Sequence, residues 1–324
     1  MDIMIEGLAF AIAMLFAGVM GLAIQRGATC TVAAVDEWVH RGSLRRLSAM
    51  IEAAAWVGGG LFLLKALHGI PALPGSSPPG PATIAGALLL GLGAYVNRAC
   101  VFGAVARFGG GEWAYAATPA GFYLGCLAAG TLLARWSPAG AVPTSVALTA
   151  PVKFAWIAVA LLGVRFATML WRRRRASGIP LARLMNETWS PHVATLVIGL
   201  AFLAMLTLVG AWGWTEAVAD LARGATAGLA PRLLLAAGLL LGAVVGASRA
   251  GRWRPVPITR GALARCTVGG VLMGLGSVLI PGSNDGLILV GMPLLQPSAW
   301  LAFVVMAVTI ASAIHVERRL RAAE

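Results

Sequence analysis

The chain has 324 residues, of which 59% are hydrophobic and 11% are charged, and its mean hydropathy is +0.84. Soluble domains carry about 25% charged residues, so this composition excludes an ordinary soluble protein. The 25 Lys and Arg outnumber the 12 Asp and Glu, which leaves a net charge of +13. The basic residues cluster between apolar stretches, which is typical of cytoplasmic membrane loops and argues against nucleic-acid binding.

The apolar stretches predict an all-α, polytopic membrane protein with about nine transmembrane helices, because about 20 apolar residues span a hydrocarbon core of roughly 30 Å. No basic segment precedes the first stretch, so we interpret it as a retained helix and not as a signal peptide. The predicted spans are 4–24, 46–67, 82–97, 113–134, 152–171, 192–212, 231–248, 262–280 and 298–316.

Basic residues are concentrated in alternate loops. The strongest cluster, Arg172–Arg175, follows the fifth predicted span, whereas residues 68–83 contain no Lys or Arg. Because basic loops stay in the cytoplasm, this alternation predicts a plasma (inner) membrane protein with its N-terminus outside and its C-terminus in the cytoplasm. The basic cluster is explained by this topology and by anionic lipid headgroups.

A glycine pattern recurs along the chain. Gly91-Leu-Gly leads to Cys100 and Gly103, Gly274-Leu-Gly leads to Ser283 and Gly286, and a looser copy begins at Gly21 and leads to Cys30. Each copy ends an apolar helix with small and polar residues, and a short apolar segment follows. Segments 100–110 and 283–295 are too short to span a bilayer, so they predict re-entrant half-helices around a cavity at membrane depth.

The domain organisation that follows is one membrane domain, 1–324. It consists of two pseudo-repeat halves, 1–171 and 192–324, joined by a basic cytoplasmic linker, 172–191. In the predicted topology the two Gly-Leu-Gly helices run in opposite directions, which predicts an inverted repeat.

Two cysteine loops are candidate anion sites. Thr29 and Cys30 follow a glycine at the start of a short helix, where free backbone N–H groups favour an anion. Asn97, Arg98 and Cys100 form the second loop, and the counterpart of its cysteine in the later copy is another small donor, Ser283. The alternative is structural, because a buried cysteine is often only a packing residue.

The third loop carries Ser283, Asn284 and Asp285. These are also ordinary helix-capping residues, but an ionisable group at membrane depth is a functional hypothesis. We favour an anchoring role for Asp285 over a proton relay, because an unpaired carboxylate would repel an anion. Arg26 and Arg98 either raise the local anion concentration or only mark the cytoplasmic side.

The four cysteines and four histidines show no metal-ligand spacing and no CxxC motif. We therefore expect neither a metal site nor a cofactor.

These motifs resemble the YeeE/YedE family of sulphur-transport membrane proteins, whose characterised members import thiosulfate. The resemblance runs from Gly21 to about Ile310. It is carried by Arg26-Gly-Ala-Thr-Cys30, the Gly91 to Gly103 copy, Phe108-Gly-Gly-Gly, Gly251-Arg-Trp-Arg254 and the Gly274 to Gly286 copy.

The resemblance implies an hourglass-shaped protein in which three cysteines pass the anion along by hydrogen bonding. Cys30 and Cys100 match the first two, and Ser283 occupies the third position. A hydroxyl still donates a hydrogen bond but lacks a soft sulfur atom. The expected substrate is a thiosulfate-like inorganic anion, and a selenium-containing or other small oxyanion is the alternative.

We therefore expect a transporter and not an enzyme. A membrane thiol oxidoreductase remains an alternative, and it predicts that Cys30 and Cys100 lie within disulfide distance. A third hypothesis, compatible with transport, is that the basic loops recruit a separate cytosolic sulfur-carrier protein.

Overall fold

In the computed structural model, residues 2–67, 78–132, 153–175, 188–225, 227–280 and 282–322 are described, and these are predominantly helical. The helices are α1 (Asp2–Gly27), α2 (Thr31–Arg41), α3 (Arg45–Ala66), α4 (Pro81–Asn97), α5 (Val101–Gly109), α6 (Ala117–Leu132), α7 (Lys153–Arg175), α8 (Pro191–Val209), α9 (Trp214–Ala222), α10 (Leu229–Arg249), α11 (Arg260–Leu279), α12 (Asn284–Gly286) and α13 (Pro297–Ala322). A 3-10 turn, Trp113–Ala116, precedes α6, and a π-helical turn, Leu287–Gly291, continues α12. Within the described ranges no β-sheet forms, which confirms the all-α prediction.

Seven helical stretches in the described part are long and apolar enough to cross a membrane. They are Glu6–Arg41, Arg45–Ala66, Pro81–Gly109, Pro191–Val209, Leu229–Arg249, Arg260–Leu279 and Pro297–Ala322. The chain is therefore a multi-pass membrane protein.

The other two predicted spans fall on α6 and α7, so the count of nine is not confirmed. α6 has 16 residues, and the apolar part of α7 is only Val159–Trp171. α7 continues to Arg175, so the predicted linker begins as helix. Residues 176–187 of that linker lie outside the described residues.

Glycines allow the central helices to pack backbone to backbone. A Cβ added to Gly86 would lie 2.8 Å from the carbonyl oxygen of Gly276, and one added to Gly93 would lie 2.7 Å from that of Gly269. Later residues of α4 thus meet earlier residues of α11, so these two Gly-Leu-Gly helices are antiparallel. Small residues at such contacts are typical of helix packing in membranes, where close approach replaces the hydrophobic driving force.

The Phe108-Gly-Gly-Gly motif and the Gly251-Arg-Trp-Arg254 motif contact each other. The backbone N–H of Arg254 donates to the carbonyl of Gly110, at 2.9 Å. Gly111 has a φ of 99°, and a Cβ there would lie 2.5 Å from the carbonyl oxygen of Arg254. Only glycine fits this contact, so the run ends α5 and fixes the following turn.

Candidate functional site

Four long helices end in the interior, and after each a few residues lead into a short helix. The breaks follow α1, α4, α8 and α11. Each break contains one residue with a positive φ, in chain order Ala28 (47°), Arg98 (57°), Gly210 (82°) and Gly282 (92°). The residues that then cap the short helices are Cys30, Cys100, Gly213 and Ser283. The site is built on these breaks.

The break after α8 is absent from the sequence prediction, which placed residues 192–212 in one span. The structure ends α8 at Val209 and begins α9 at Trp214. The signal that could have located it is the Gly210-x-x-Gly213 pair, because glycine after a helix is a common stop. This break brings Thr215 and Glu216 close to the Ser283 loop.

The two cysteines cap each other's helices. The Sγ of Cys100 accepts from the backbone N–H of Thr31, the first residue of α2, at 3.2 Å. The Sγ of Cys30 accepts from the backbone N–H of Cys100, at 3.5 Å. Both thiols are free, and Cys100 is completely buried. The N-termini of α2 and α5 therefore converge on two thiols, where the helix dipoles favour negative charge.

Thr31 connects the cysteines to the third loop. Its hydroxyl donates to the Oδ1 of Asn284, at 3.3 Å, across 253 positions of sequence. Asn284 is buried, and its Nδ2 makes no hydrogen bond within the described ranges. The hydroxyl of Thr29, also buried, likewise has no partner there. Two predicted site residues thus offer unused donors.

Asn97 supports the Cys100 loop and lines neither of the two cavities described below. Its side chain donates to the carbonyl of Ala99 at 2.8 Å and accepts from the hydroxyl of Thr118 at 3.1 Å. Its own carbonyl accepts from Arg265 at 2.7 Å and from Tyr115 at 3.1 Å. The guanidinium of Arg265 also lies 5.6 Å from the centre of the Tyr115 ring, a cation–π distance. Neither partner could be identified from the sequence.

Asp285 has the contacts of an anchoring group. Its Oδ1 accepts from the hydroxyl of Thr215 at 2.6 Å and from the backbone N–H of Gly286 at 3.1 Å. Asp285 is buried, and it ties the third loop to the start of α9.

Two cavities approach these loops. The basic cavity, about 810 Å³, has Cys30 in its wall. Its six arginines outnumber its two acidic residues: Arg46, Arg98, Arg107, Arg265, Arg318 and Arg321 against Asp36 and Glu317. Of the two predicted arginines, Arg98 lines this cavity. Arg26 is 1% exposed at the end of α1 and lines neither cavity.

The second cavity, which we call the Ser283 cavity, has a volume of about 240 Å³ and contains Ser277 and Ser283 in its wall. Arg265 in the basic cavity and Ser277 are both on α11, and twelve residues of helix rise by about 18 Å. The cavities therefore lie at opposite ends of α11. Contacts run from Cys30, in the wall of the basic cavity, through Cys100 and Thr31 to Asn284, which is next to Ser283 in the wall of the other cavity.

Apolar helices that break in the interior, with a cavity on each side, define a multi-pass membrane protein built as a transporter. The chain belongs to the sulphur transport family, whose model matches residues 26–312. This confirms the resemblance found in the sequence, and the matched region contains all four breaks. No curated protein matches the chain.

Proposed function

We propose that the protein carries thiosulfate or a related small sulphur-containing anion across the plasma (inner) membrane without covalent chemistry. The observation that carries this proposal is the pair of cavities at opposite ends of α11, with Cys30 in one and Ser283 in the other. Membership of the sulphur transport family supports the substrate class.

The short helices act as re-entrant halves of an inverted repeat. The antiparallel packing of α4 and α11 supports the inversion, and the N-termini of α2 and α5 present dipoles to the anion. The donors are Cys30, Cys100, Ser283, Thr29 and Asn284. Several weak donors in series let an ion both enter and leave, whereas one tight site would trap it.

The remaining predicted residues have supporting roles. Asn97 and Asp285 hold the Cys100 and Ser283 loops through the contacts described above. Arg98 raises the anion concentration in the basic cavity, and Arg26, buried at the end of α1, marks the cytoplasmic side.

The basic cavity faces the cytoplasm in this proposal, because arginine-rich ends stay on that side. The N-terminus is then outside and the C-terminus is cytoplasmic. The excess of arginines in this cavity would also attract an acidic sulfur-carrier protein that receives the anion.

Ser283 is the position that sets which anion is carried. Its hydroxyl is a stronger hydrogen-bond donor than a thiol but not a soft partner for sulfur. A selenium-containing or other small oxyanion is therefore the alternative substrate.

Uptake of labelled thiosulfate, sulfate and sulfite into proteoliposomes tests the proposal. We expect Cys100→Ser to slow thiosulfate uptake about tenfold or more, because it removes the sulfur in contact with the α2 N-terminus. Cys266→Ser is the matched control, since that thiol is equally buried but lines neither cavity. Equal uptake of all three anions by wild type and Cys100→Ser would refute the thiol path.

Ser283→Cys tests the substrate. A rise in thiosulfate uptake indicates that the native substrate is another anion.

Mass spectrometry after alkylation of the thiols distinguishes the thiol oxidoreductase hypothesis from the transporter. It predicts a Cys30–Cys100 disulfide, which protects both thiols from alkylation until a reductant is added. The transporter predicts that both thiols react without reduction once the protein is unfolded.

A further inference from the structure

Carboxylates lie beside Ser283, where the proposed path for an anion begins. Glu216 and Asp220 of α9 line the Ser283 cavity. Glu216 also lines a small cavity of about 10 Å³ together with Asp285 and Trp214. Ionised carboxylates would repel a divalent anion here, so their protonation state decides whether the cavity accepts one.

The charges that face Glu216 come from three helices. Asp220 is on its own helix and Arg223 caps the end of that helix, Arg232 is on α10, and Asp285 is on α12. Asp220 forms ion pairs with both arginines, so their positive charge is already shared. Within the described ranges Glu216 makes neither an ion pair nor a hydrogen bond, although its Oε1 lies 3.9 Å from the Cβ position of Gly286. Glu216 is thus the carboxyl group whose charge is least compensated.

Trp214 gives an independent indication that something binds next to Glu216. Its indole is 8% exposed, and its Nε1–H has no hydrogen-bond partner among the residues described. It lines the same small cavity as Glu216 and Asp285. A cavity of about 10 Å³ holds about one water molecule. A lone donor beside two carboxyl groups, with space for one water, is an arrangement that can store and pass a proton.

The electrostatics of this site agree with its geometry. Burial raises the pKa of Glu216 to about 7, and the neighbouring Asp285 and Asp220 raise it further whereas Arg232 and Arg223 lower it. Glu216 lies outside the seven spanning stretches. It therefore changes its charge in the pH range of an ordinary external medium.

We infer that Glu216 is a proton-binding site that couples anion uptake to proton entry. This inference rests on the proposed transport function. Glu216 takes one proton from the solution in the Ser283 cavity, and as a neutral acid it lets the anion reach Ser283. As the anion moves on, the proton leaves Glu216 through the water-sized cavity that Glu216 lines. A divalent anion and one proton cross with a net charge of −1.

An infrared titration tests the proton site without any substrate. The full-length protein in lipid should show a protonated-carboxyl band that disappears as the pH rises through about 7. Glu216→Gln should lack this band, and the exposed carboxylate variant Glu6→Gln should keep it. An identical titration of wild type and Glu216→Gln overturns the site.

Proteoliposome uptake of thiosulfate tests the coupling. A difference of one pH unit, acidic outside, should raise the accumulation of anion up to about tenfold for one coupled proton. A trapped pH-sensitive dye should report protons entering with the anion. Glu216→Gln should lose the response to the gradient, whereas Glu216→Asp and Glu6→Gln should keep it.

The outcomes separate the two proposals. Wild-type uptake that does not depend on the pH gradient refutes the proton coupling but not the transport function. If wild type takes up none of the anions tested, the transport function fails, and the infrared titration alone decides whether Glu216 binds a proton.

Discussion

We expect Gly103→Ala to slow transport strongly while lowering the stability of the fold only moderately. It lies in the first turn of α5, and a Cβ added there would lie 2.5 Å from the Sγ of Cys30, 3.0 Å from its Cβ and 3.1 Å from the Cβ of Ala99. The Sγ can rotate away, but the other two atoms belong to fixed backbone positions. Gly103→Ala therefore moves the Cys30 thiol out of its place beside the backbone N–H of Cys100.

The size of the effect follows from these contacts. Overpacking of this kind costs about 1–3 kcal/mol, and alanine recovers up to about 1 kcal/mol of helix propensity. The net loss of stability is then at most about 2 kcal/mol. A displaced donor costs about 1.5–3 kcal/mol of hydrogen bonding to a charged ion, which corresponds to a roughly 10- to 100-fold slower uptake.

The assay compares initial thiosulfate uptake per folded protein with the thermal midpoint in detergent. Gly130→Ala is the control, because no atom lies within 4 Å of its added Cβ, and it should keep wild-type uptake. If Gly103→Ala transports as fast as wild type while remaining folded, Cys30 does not need its observed position and the reasoning is wrong.

Three further predictions concern packing, the Cys100 loop and protonation. Gly21→Ala should lower stability by about 1–3 kcal/mol, because its Cβ would lie 1.8 Å from a backbone oxygen of α10, whereas Gly7→Ala should be neutral in the same thermal assay. Arg265→Gln removes a 2.7 Å bond to the last carbonyl of α4, so alkylation of Cys100 should quicken about 10-fold or more, and an unchanged rate contradicts this anchoring. The pKa of Glu216 rises from 4.5 to about 7 on folding, so wild type loses stability as the pH rises through that window. The thermal midpoint of Glu216→Gln should therefore exceed that of wild type increasingly up to about pH 7, and a constant difference contradicts the shift.

The membrane class and three of the four helix breaks could be predicted because they depend on local sequence. Spanning length follows directly from apolar runs, and the repeat that leads to Cys100 and Ser283 marks where helices stop. The break at Gly210–Gly213 escaped because Trp212 and Trp214 continue the apolar stretch through it, and hydropathy does not detect a change of direction.

The tertiary support of the site could not be predicted from a single chain. The bond from Arg265 to the carbonyl of Asn97 spans 168 positions, and Arg265 resembles any other cytoplasmic arginine in sequence. The mutual capping by Cys30 and Cys100 likewise joins residues 70 positions apart, and composition carries no information about that contact.

In the proposed mechanism, the distribution of charge explains how the protein binds a divalent anion and still releases it. At an effective dielectric constant of about 20, one arginine at 4 Å attracts a unit charge by about 4 kcal/mol, and a divalent ion by about twice that. This alone would slow release by roughly a millionfold, since each 1.4 kcal/mol is a factor of ten. The contacts on the route join Cys30, Cys100, Thr31 and Asn284, all of which are uncharged in the proposed mechanism and contribute only about 0.5–1.5 kcal/mol each. Arginines predominate in the basic cavity, where water weakens their attraction. In the proposed coupling, Glu216 in the Ser283 cavity repels or admits the anion according to its protonation state.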